Sequence, residues 1–189
     1  MPIAIGQDLE SDFRNPLGLL SDCHRRLERF LNALIAISEE TQGSKLSDVQ
    51  SQHFEAALRY FREAAPKHTL DEEESLFPRL RSKDREEVYA AFVLLDRLHA
   101  DHEEAEIKHR MVDELGRAWL ADGQLAPGSS WRLVSLLREL RTTYEKHIDV
   151  EDNELFPLAA KVLDRSELET IAREMAGRRG LFISEGPSQ

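Results

Sequence analysis

Residues 68–78 read HTLDEEESLFP, and residues 147–157 read HIDVEDNELFP. Each segment has a His four residues before a Glu, and each ends in Leu-Phe-Pro. Residues four apart lie one turn apart on the same face of a helix, so the His and the Glu project together. Imidazole and carboxylate form a ligand set for iron, manganese or zinc. The two segments therefore predict a pair of helices that each supply one His and one Glu to a metal site.

The rest of the sequence is typical of a protein built from long helices. Of the 189 residues, 41% are hydrophobic and 32% are charged, whereas only 9 are Gly and 7 are Pro. Apolar residues recur at spacings of three and four along four stretches of the chain. We predict a short fifth helix after Ser166 and four long helices before it, over about 15–43, 47–80, 84–121 and 130–162.

The connections between the four predicted helices are short, which favours helices that run antiparallel to their neighbours. The predicted fold is therefore all-α, an up-down antiparallel four-helix bundle with a short C-terminal helix. We expect one bundle domain over residues 13–183, between a flexible N-terminal tail at residues 1–12 and a C-terminal tail at residues 184–189.

Proline and capping residues mark the expected helix ends. Ser47 and Ser166 each precede a Gln or Glu by three residues, which is the spacing of a capping box. Pro66 is expected to kink the second helix, and that helix is expected to end near Pro78.

His and Glu interrupt the inward-facing stripes of all four predicted helices. Six of the seven His fall on these stripes. Burying an unpaired polar group costs about 2–7 kcal/mol, and a whole fold is worth only about 5–15 kcal/mol. The buried His and Glu therefore need one another, or a metal ion, as partners. The polar residues on the stripes are His24, His68, Glu72, His99, His102, Glu106, His109, His147 and Glu151.

In this arrangement the chain resembles the hemerythrin-like, or HHE cation-binding, domain family. The family pattern is one His on the first helix, His-x-x-x-Glu on the second, His on the third, and His-x-x-x-Glu or Asp on the fourth. The matching parts here are His24, residues 68–78, the segment ADHEEAE at residues 100–106, and residues 147–157. The resemblance covers about residues 16–162, and its most specific feature is the repeated Leu-Phe-Pro.

The resemblance implies a non-haem di-iron site, with two iron ions per chain joined by an oxo or hydroxo bridge. Glu72 and Glu151 would bridge the ions, and the terminal ligands would be His24, His68, His102 and His147. The implied partner is a small molecule such as O2, NO or peroxide. The implied roles lie in the response to oxidative or nitrosative stress, or in iron handling.

Two helices leave a choice of ligand. On the third helix both His99 and His102 are expected to face inward, and we favour His102 because its Asp-His-Glu-Glu context is similar to the family's segment. On the fourth helix, oxygen-carrying members place the acid at the position of Asp152, but Glu151 lies on the stripe. Oxygen carriers also have His-x-x-x-His on the third helix. Here Glu106 takes the last position, which argues against reversible oxygen carriage and makes it a candidate third carboxylate.

Charge and cysteine content exclude other classes of function. Lys and Arg number 25 against 36 Asp and Glu, and the resulting net charge of −11 disfavours nucleic-acid binding. The single cysteine, Cys23, excludes an intrachain disulfide. No apolar run reaches the roughly 18 residues of a membrane span, and the first 13 residues lack the features of a signal peptide. We expect a cytoplasmic monomer or homodimer without nucleic-acid or membrane partners.

Two other interpretations predict different chemistry. A ferritin-like carboxylate bundle needs Glu-x-x-His on two helices, and this sequence has that spacing once, at Glu106 and His109. A helical interaction module, either metal-free or zinc-binding, would use the inward His to fix helix register or to sense pH. A metal-free module would fold equally well without an ion. The paired segments favour the di-iron interpretation over both.

Overall fold

The computed structural model describes residues 11–183, and the regular secondary structure within that range is helical. The α-helices of this range are α1 (Pro16–Thr41), α2 (Asp48–Glu63), α3 (Ala65–Leu70), α4 (Phe77–Arg81), α5 (Glu86–Tyr89), α6 (Phe92–Asp122), α7 (Pro127–Val150), α8 (Phe156–Val162) and α9 (Arg165–Arg178). Two π-helical segments, Asp71–Leu76 and Glu151–Leu155, join α3 to α4 and α7 to α8. The all-α prediction is confirmed, whereas the predicted tails, apart from residues 11 and 12, lie outside the described residues.

Capping boxes set the start of two of the described helices. The predicted capping box of Ser47 and Gln50 is confirmed at the start of α2. The prediction for the last helix is wrong by two residues, because Asp164 and Glu167 form the capping box of α9 in place of Ser166 and its partner. Asp164 is already in extended conformation after the end of α8, so the first strong cap in the sequence starts the helix.

Proline positions explain where the helices differ from their predicted bounds. The predicted second helix breaks at Ala64, close to Pro66, as expected from the proline. It continues beyond Pro78, because the wider π-helical turn before that proline accommodates a residue without an amide hydrogen. The predicted fourth helix begins earlier than expected, with Pro127 in the first turn of α7, a favourable position for proline.

The long helices pack around a common interior. Contacts join α1 to α2, α2 to α6, α6 to α7, and α7 back to α1. The interior contains two apolar clusters. The first includes Leu31, Phe54 and Trp119, and the second includes Leu20 and Leu95. Helix α9 packs against α1 and the first π-helical segment, and it adds apolar side chains to the second cluster.

The ligand-type residues lie where the two apolar clusters meet. Along α1 the buried stripe runs from Leu20 in the second cluster, through His24, to Leu31 in the first cluster. Along α6 it runs from Leu95, through His102, into the first cluster. The stretches α2 to α4 and α7 to α8 pass between the clusters in the opposite order. No helix among residues 11–183 is long and apolar enough to cross a membrane.

Candidate metal centre

Six side chains converge into two overlapping groups at the middle of the helices. In each group, one ligand atom per residue lies within 4.8 Å of every other. The first group consists of His24, His68, Glu72 and Glu151, and the second consists of Glu72, His102, His147 and Glu151. Because the groups share both carboxylates, the cluster has the layout of two adjacent cation sites joined by Glu72 and Glu151.

The two shared carboxylates face the histidines differently. The two oxygens of Glu72 face histidines of different groups, since Oε1 lies 3.2 Å from Nε2 of His68 and Oε2 lies 3.3 Å from Nε2 of His102. Glu151 uses one oxygen for both groups, because its Oε2 lies 3.1 Å from Nε2 of His24 and 3.2 Å from Nε2 of His147. Glu72 Oε1 also lies 3.7 Å from Nε2 of His24, so each carboxylate reaches at least one histidine of each group.

Burial makes this cluster costly without a cation. Glu72 and Glu151 are fully buried, and their four carboxylate oxygens have no hydrogen-bond partner among the described residues. The Nε2 atom of His24 is likewise buried without a hydrogen bond. Two buried carboxylates without any cation would cost several kcal/mol each, and in the metal-free chain the facing imidazoles are the groups that offset this cost. Donor atoms that face one another without hydrogen-bond alignment fit a metal cation, and imidazole with carboxylate suits iron or zinc.

The π-helical turns explain how Leu-Phe-Pro positions the glutamates. In the first turn the amide of Phe77 donates to the carbonyl of Glu72, five residues earlier, and in the second the amide of Phe156 donates to the carbonyl of Glu151. The proline that follows each Phe has no amide hydrogen, so it cannot make an α-helical bond to the residue four before it. The wider turn therefore lies directly at each buried Glu, a location that is common for π-bulges at functional sites.

Carboxylates orient three of the four histidines from outside the cluster. Asp152 Oδ1 lies 3.1 Å from Nδ1 of His24, and Glu73 Oε1 lies 2.7 Å from Nδ1 of His102. Asp101 Oδ2 lies 3.4 Å from Nδ1 of His147. Such carboxylates fix the ring so that Nε2 points inward. For His68 the outer nitrogen, Nδ1, is buried and has no hydrogen-bond partner in the described part of the chain.

Burial and carboxylates act in opposite directions on the pKa of these histidines. Burial lowers the pKa of His24, but the neighbouring carboxylates, Asp152 foremost, outweigh it and hold the pKa well above the ordinary value. Burial also opposes protonation of His102, yet Glu72 and a second carboxylate raise its pKa to about 10. Burial dominates at His68 and lowers its pKa to about 4. A neutral imidazole is the form that binds a metal.

Histidines in turn keep the shared carboxylates ionised. Burial raises the pKa of Glu72, but the facing imidazoles, His68 first, hold it well below the ordinary value. Burial and the charge of Glu72 raise the pKa of Glu151, and His147 and His24 lower it below the ordinary value. The interior of the bundle therefore contains two carboxylates in their anionic form.

The prediction that His99 and Glu106 face inward is wrong. The side chain of His99 is 55% exposed and that of Glu106 is 73% exposed. The buried stripe of α6 passes through Leu98, His102 and Ala105, and the two predicted positions lie beside that stripe. The structure thus places His99 and Glu106 outside both groups, and it places His102 inside.

Sequence reasoning missed the carboxylates that orient the histidines. The sequence suggests Asp152 as an alternative bridge, but its contacts are with His24 and with the Ser21 hydroxyl, which donates a hydrogen bond at 2.7 Å. Glu73 lies in the acidic run at residues 71–74, which the sequence predicts to be a solvated face apart from Glu72. The signal was present, because Glu73 and Asp152 occupy the same position in the two segments, five residues after the His.

The comparison with known families agrees with this geometry. A family model described as the hemerythrin HHE cation binding domain matches residues 15–159. The chain belongs to the hemerythrin HHE cation-binding family. The match includes all six clustered side chains and ends before α9. No match is found among curated proteins. Membership implies metal binding, and the buried His and Glu groups could hold the metal.

Proposed function

We propose that this hemerythrin-family protein is a non-haem di-iron protein that binds or reacts with O2, NO or hydrogen peroxide. The observation that carries the proposal is the pair of fully buried carboxylates shared by two histidine groups, whose oxygens accept no hydrogen bond from residues 11–183. Each of the two iron ions would have two His nitrogens and the two shared carboxylates as protein ligands. The terminal ligands proposed are His24, His68, His102 and His147, and Glu72 and Glu151 are the proposed bridges.

The protein residues would orient the site and exclude water from it. Iron pairs supply one- or two-electron redox chemistry toward a small ligand, and four protein donors per ion would leave positions open for that ligand. The outer carboxylates Asp101, Asp152 and Glu73 keep three imidazoles directed inward. The rings of Phe156 and Phe77 stack on His24 and His102 with centroids 5.5 and 6.2 Å apart, and they cover the site with apolar surface.

The test is metal content together with an optical spectrum. Purified protein should contain two irons per chain and show a near-ultraviolet charge-transfer band. A variant with His24→Ala and His147→Ala should lose both, because each group loses one imidazole. His53→Ala is the matched control, since His53 lies outside both groups. Titration with O2, NO and peroxide then identifies the ligand.

The outcomes separate the proposed function from its alternatives. Stoichiometric zinc would keep the site but remove the redox chemistry, and it would favour a zinc-binding helical interaction module. No metal, together with unchanged stability of the double variant, would contradict the proposal and leave a metal-free module.

Several coarser features are proposed with the function. We propose an up-down antiparallel four-helix bundle, which is supported by the alternating order in which the helices traverse the two apolar clusters. We also propose that residues 13–183 form a single domain, because α9 packs on α1. The net charge of −11 supports the absence of nucleic-acid partners, and the single cysteine is consistent with a cytoplasmic protein, either monomeric or homodimeric.

A further inference from the structure

The last residue of α9, Arg178, and the capping residue after it, Arg179, contact the π-helical turn that carries Glu72 through one buried carboxylate. Arg178 Nη1 donates to Oδ1 of Asp71 at 3.0 Å, and Arg179 Nη2 donates to Oδ2 of Asp71 at 2.7 Å. Asp71 is fully buried, so each of its oxygens is matched to one guanidinium instead of to water. Asp71 is the residue directly before Glu72, so the position of Asp71 helps to set the position of the Glu72 carboxylate, which both histidine groups share.

The same turn is held at a second point. Arg178 Nη1 also donates to the hydroxyl of the buried Ser75 at 2.9 Å. Arg79 donates to the Ser75 carbonyl at 2.7 Å and forms a two-pronged ion pair with Glu174 of α9, at 3.0 and 2.8 Å. Two-pronged Arg–carboxylate pairs fix orientation as well as distance. The C-terminal half of α9 thus contacts the turn near both of its ends, at Asp71 and at Ser75.

This arrangement distinguishes the first turn from the second. The residue that corresponds to Asp71 in the second segment is Val150, whose side chain cannot accept hydrogen bonds. Helix α9 also lies beyond residues 15–159, which are the part of the chain that matches the family model. The contact therefore joins the matched residues to a helix that lies outside them.

We propose that α9 is a clamp for the metal centre, in which Arg178 and Arg179 act through Asp71 to position Glu72. The inference rests on the proposed function, because it assumes that Glu72 is a metal ligand. A turn that is already ordered does not have to be ordered when the metal binds, so the clamp raises metal affinity. By thermodynamic reciprocity, metal binding must also stabilise the docking of α9.

The test measures Co²⁺ affinity by visible absorption on the full-length chain. Arg179→Gln should weaken Co²⁺ binding by about 10–100-fold, as loss of outer-shell support typically does. Asp71→Asn should weaken it similarly, and the double variant should be no weaker than either single variant, because Arg179 acts through Asp71. Arg179→Lys should restore part of the affinity. The matched control is Arg165→Gln, also on α9, because that side chain is 93% exposed and pairs with Glu169 on its own helix.

Amide hydrogen exchange separates positioning from general stability. In the metal-free protein, Arg179→Gln should speed exchange at residues 71–76, and Arg165→Gln should not. In the wild-type protein, Co²⁺ should slow exchange in α9, although the metal binds elsewhere. A merely structural role for Arg179 predicts faster exchange throughout the helices and no effect of Co²⁺ on α9.

Each outcome decides for or against the clamp. Wild-type Co²⁺ affinity in a folded Arg179→Gln protein would overturn it, and so would an equal loss in Arg165→Gln. If Arg179→Gln does not fold, Asp71→Asn, which keeps the side-chain shape, decides the question in the same assays. A wild-type protein that binds no Co²⁺ would overturn the proposed function together with the clamp. Wild-type binding with unchanged variants would overturn the clamp alone.

Discussion

The segments 68–78 and 147–157 share a local structure and differ in what surrounds them. Each forms a π-helical turn at its buried Glu, and each supports a histidine that belongs to another helix. The first segment does this with Glu73 and Phe77, which contact His102. In the second segment, Asp152 and Phe156 contact His24 of α1. Each segment therefore supplies two of the six clustered residues directly, and it orients a third from outside the cluster.

The segments differ at the histidine that each one contains. The outer nitrogen of His147 faces Asp101 at 3.4 Å, whereas the outer nitrogen of His68 is buried and has no hydrogen-bond partner within residues 11–183. The group with His102 and His147 thus has outer carboxylates on both rings, and the group with His24 and His68 has one. Two segments with the same ligand spacing can therefore supply similar side chains and still leave the two histidine groups with unequal outer contacts.

The largest expected effect comes from removing a carboxylate that both groups share. Glu72→Ala should abolish binding of two metal ions, because Glu72 gives one oxygen to each group. Affinity for the second ion should fall by more than about 100-fold. Metal analysis after dialysis measures the effect, and Glu106→Ala is the matched control because that carboxylate is 73% exposed. Retention of two ions in Glu72→Ala would contradict the shared-carboxylate arrangement.

A smaller effect should separate the two sites. Chelator competition should remove metal in two phases, and the ion held by His24 and His68 should leave first. Glu73→Gln should weaken the other site by about 10–100-fold and bring the phases together, because it removes the outer support of His102. Asp152→Asn should separate the two phases further. It weakens the site with His24 and His68, which already has only one outer carboxylate. A single phase in the wild-type protein would mean that the asymmetry at His68 has no energetic consequence.

A third prediction concerns the surroundings of Tyr144, which precedes the second segment and has no tyrosine counterpart before the first. Tyr144 lies three residues before His147, and its hydroxyl is 2.8 Å from Nε2 of His109, whereas the corresponding residue before His68 is Ala65. Burial lowers the pKa of His109 to about 4. Between about pH 6.5 and 4 the unfolded chain binds a proton at this histidine and the folded chain does not. The free energy of unfolding should therefore fall as pH falls through this range.

The loss attributable to His109 is about 2–3 kcal/mol across that range. Urea unfolding of the metal-free protein at several pH values measures it, with His109→Gln as the comparison. The cluster histidines also titrate, so the informative quantity is the difference between wild type and variant. A difference that does not change with pH would show that His109 is protonated equally in the folded and unfolded chain.

The smallest effect is expected at the histidine that the sequence placed wrongly. His99→Ala should leave the metal content unchanged and alter affinity by less than about twofold, because the ring is 55% exposed and its ion pairs are with Glu73 and with the exposed Glu103. Metal titration in parallel with His102→Ala, which should lose the second site, makes the comparison direct. A large effect of His99→Ala would mean that α6 rotates when metal binds.

Much of the fold and of the cluster could be predicted from the sequence, and the misplacement of His99 has a clear physical cause. Histidines with a Glu four residues later were recognisable because helical geometry alone places both on one face. On α6 the isolated His99 and His102 offered no such pair, and both lay near the apolar stripe. A rotation of α6 by a fraction of a turn decides which of them is buried, and that rotation is set by packing against α2 and α7.

What the sequence by itself determined is local. The spacing of His and Glu, the proline after each Leu-Phe, and the apolar periodicity specify helices, a wider turn at each Glu, and a polar level between apolar residues. The tertiary structure decided which side chains meet across helices: Asp152 with His24, Glu73 with His102, and Asp71 with the two arginines at the C-terminal end of α9. Those contacts join residues from 29 to 128 positions apart, and their formation depends on how whole helices pack.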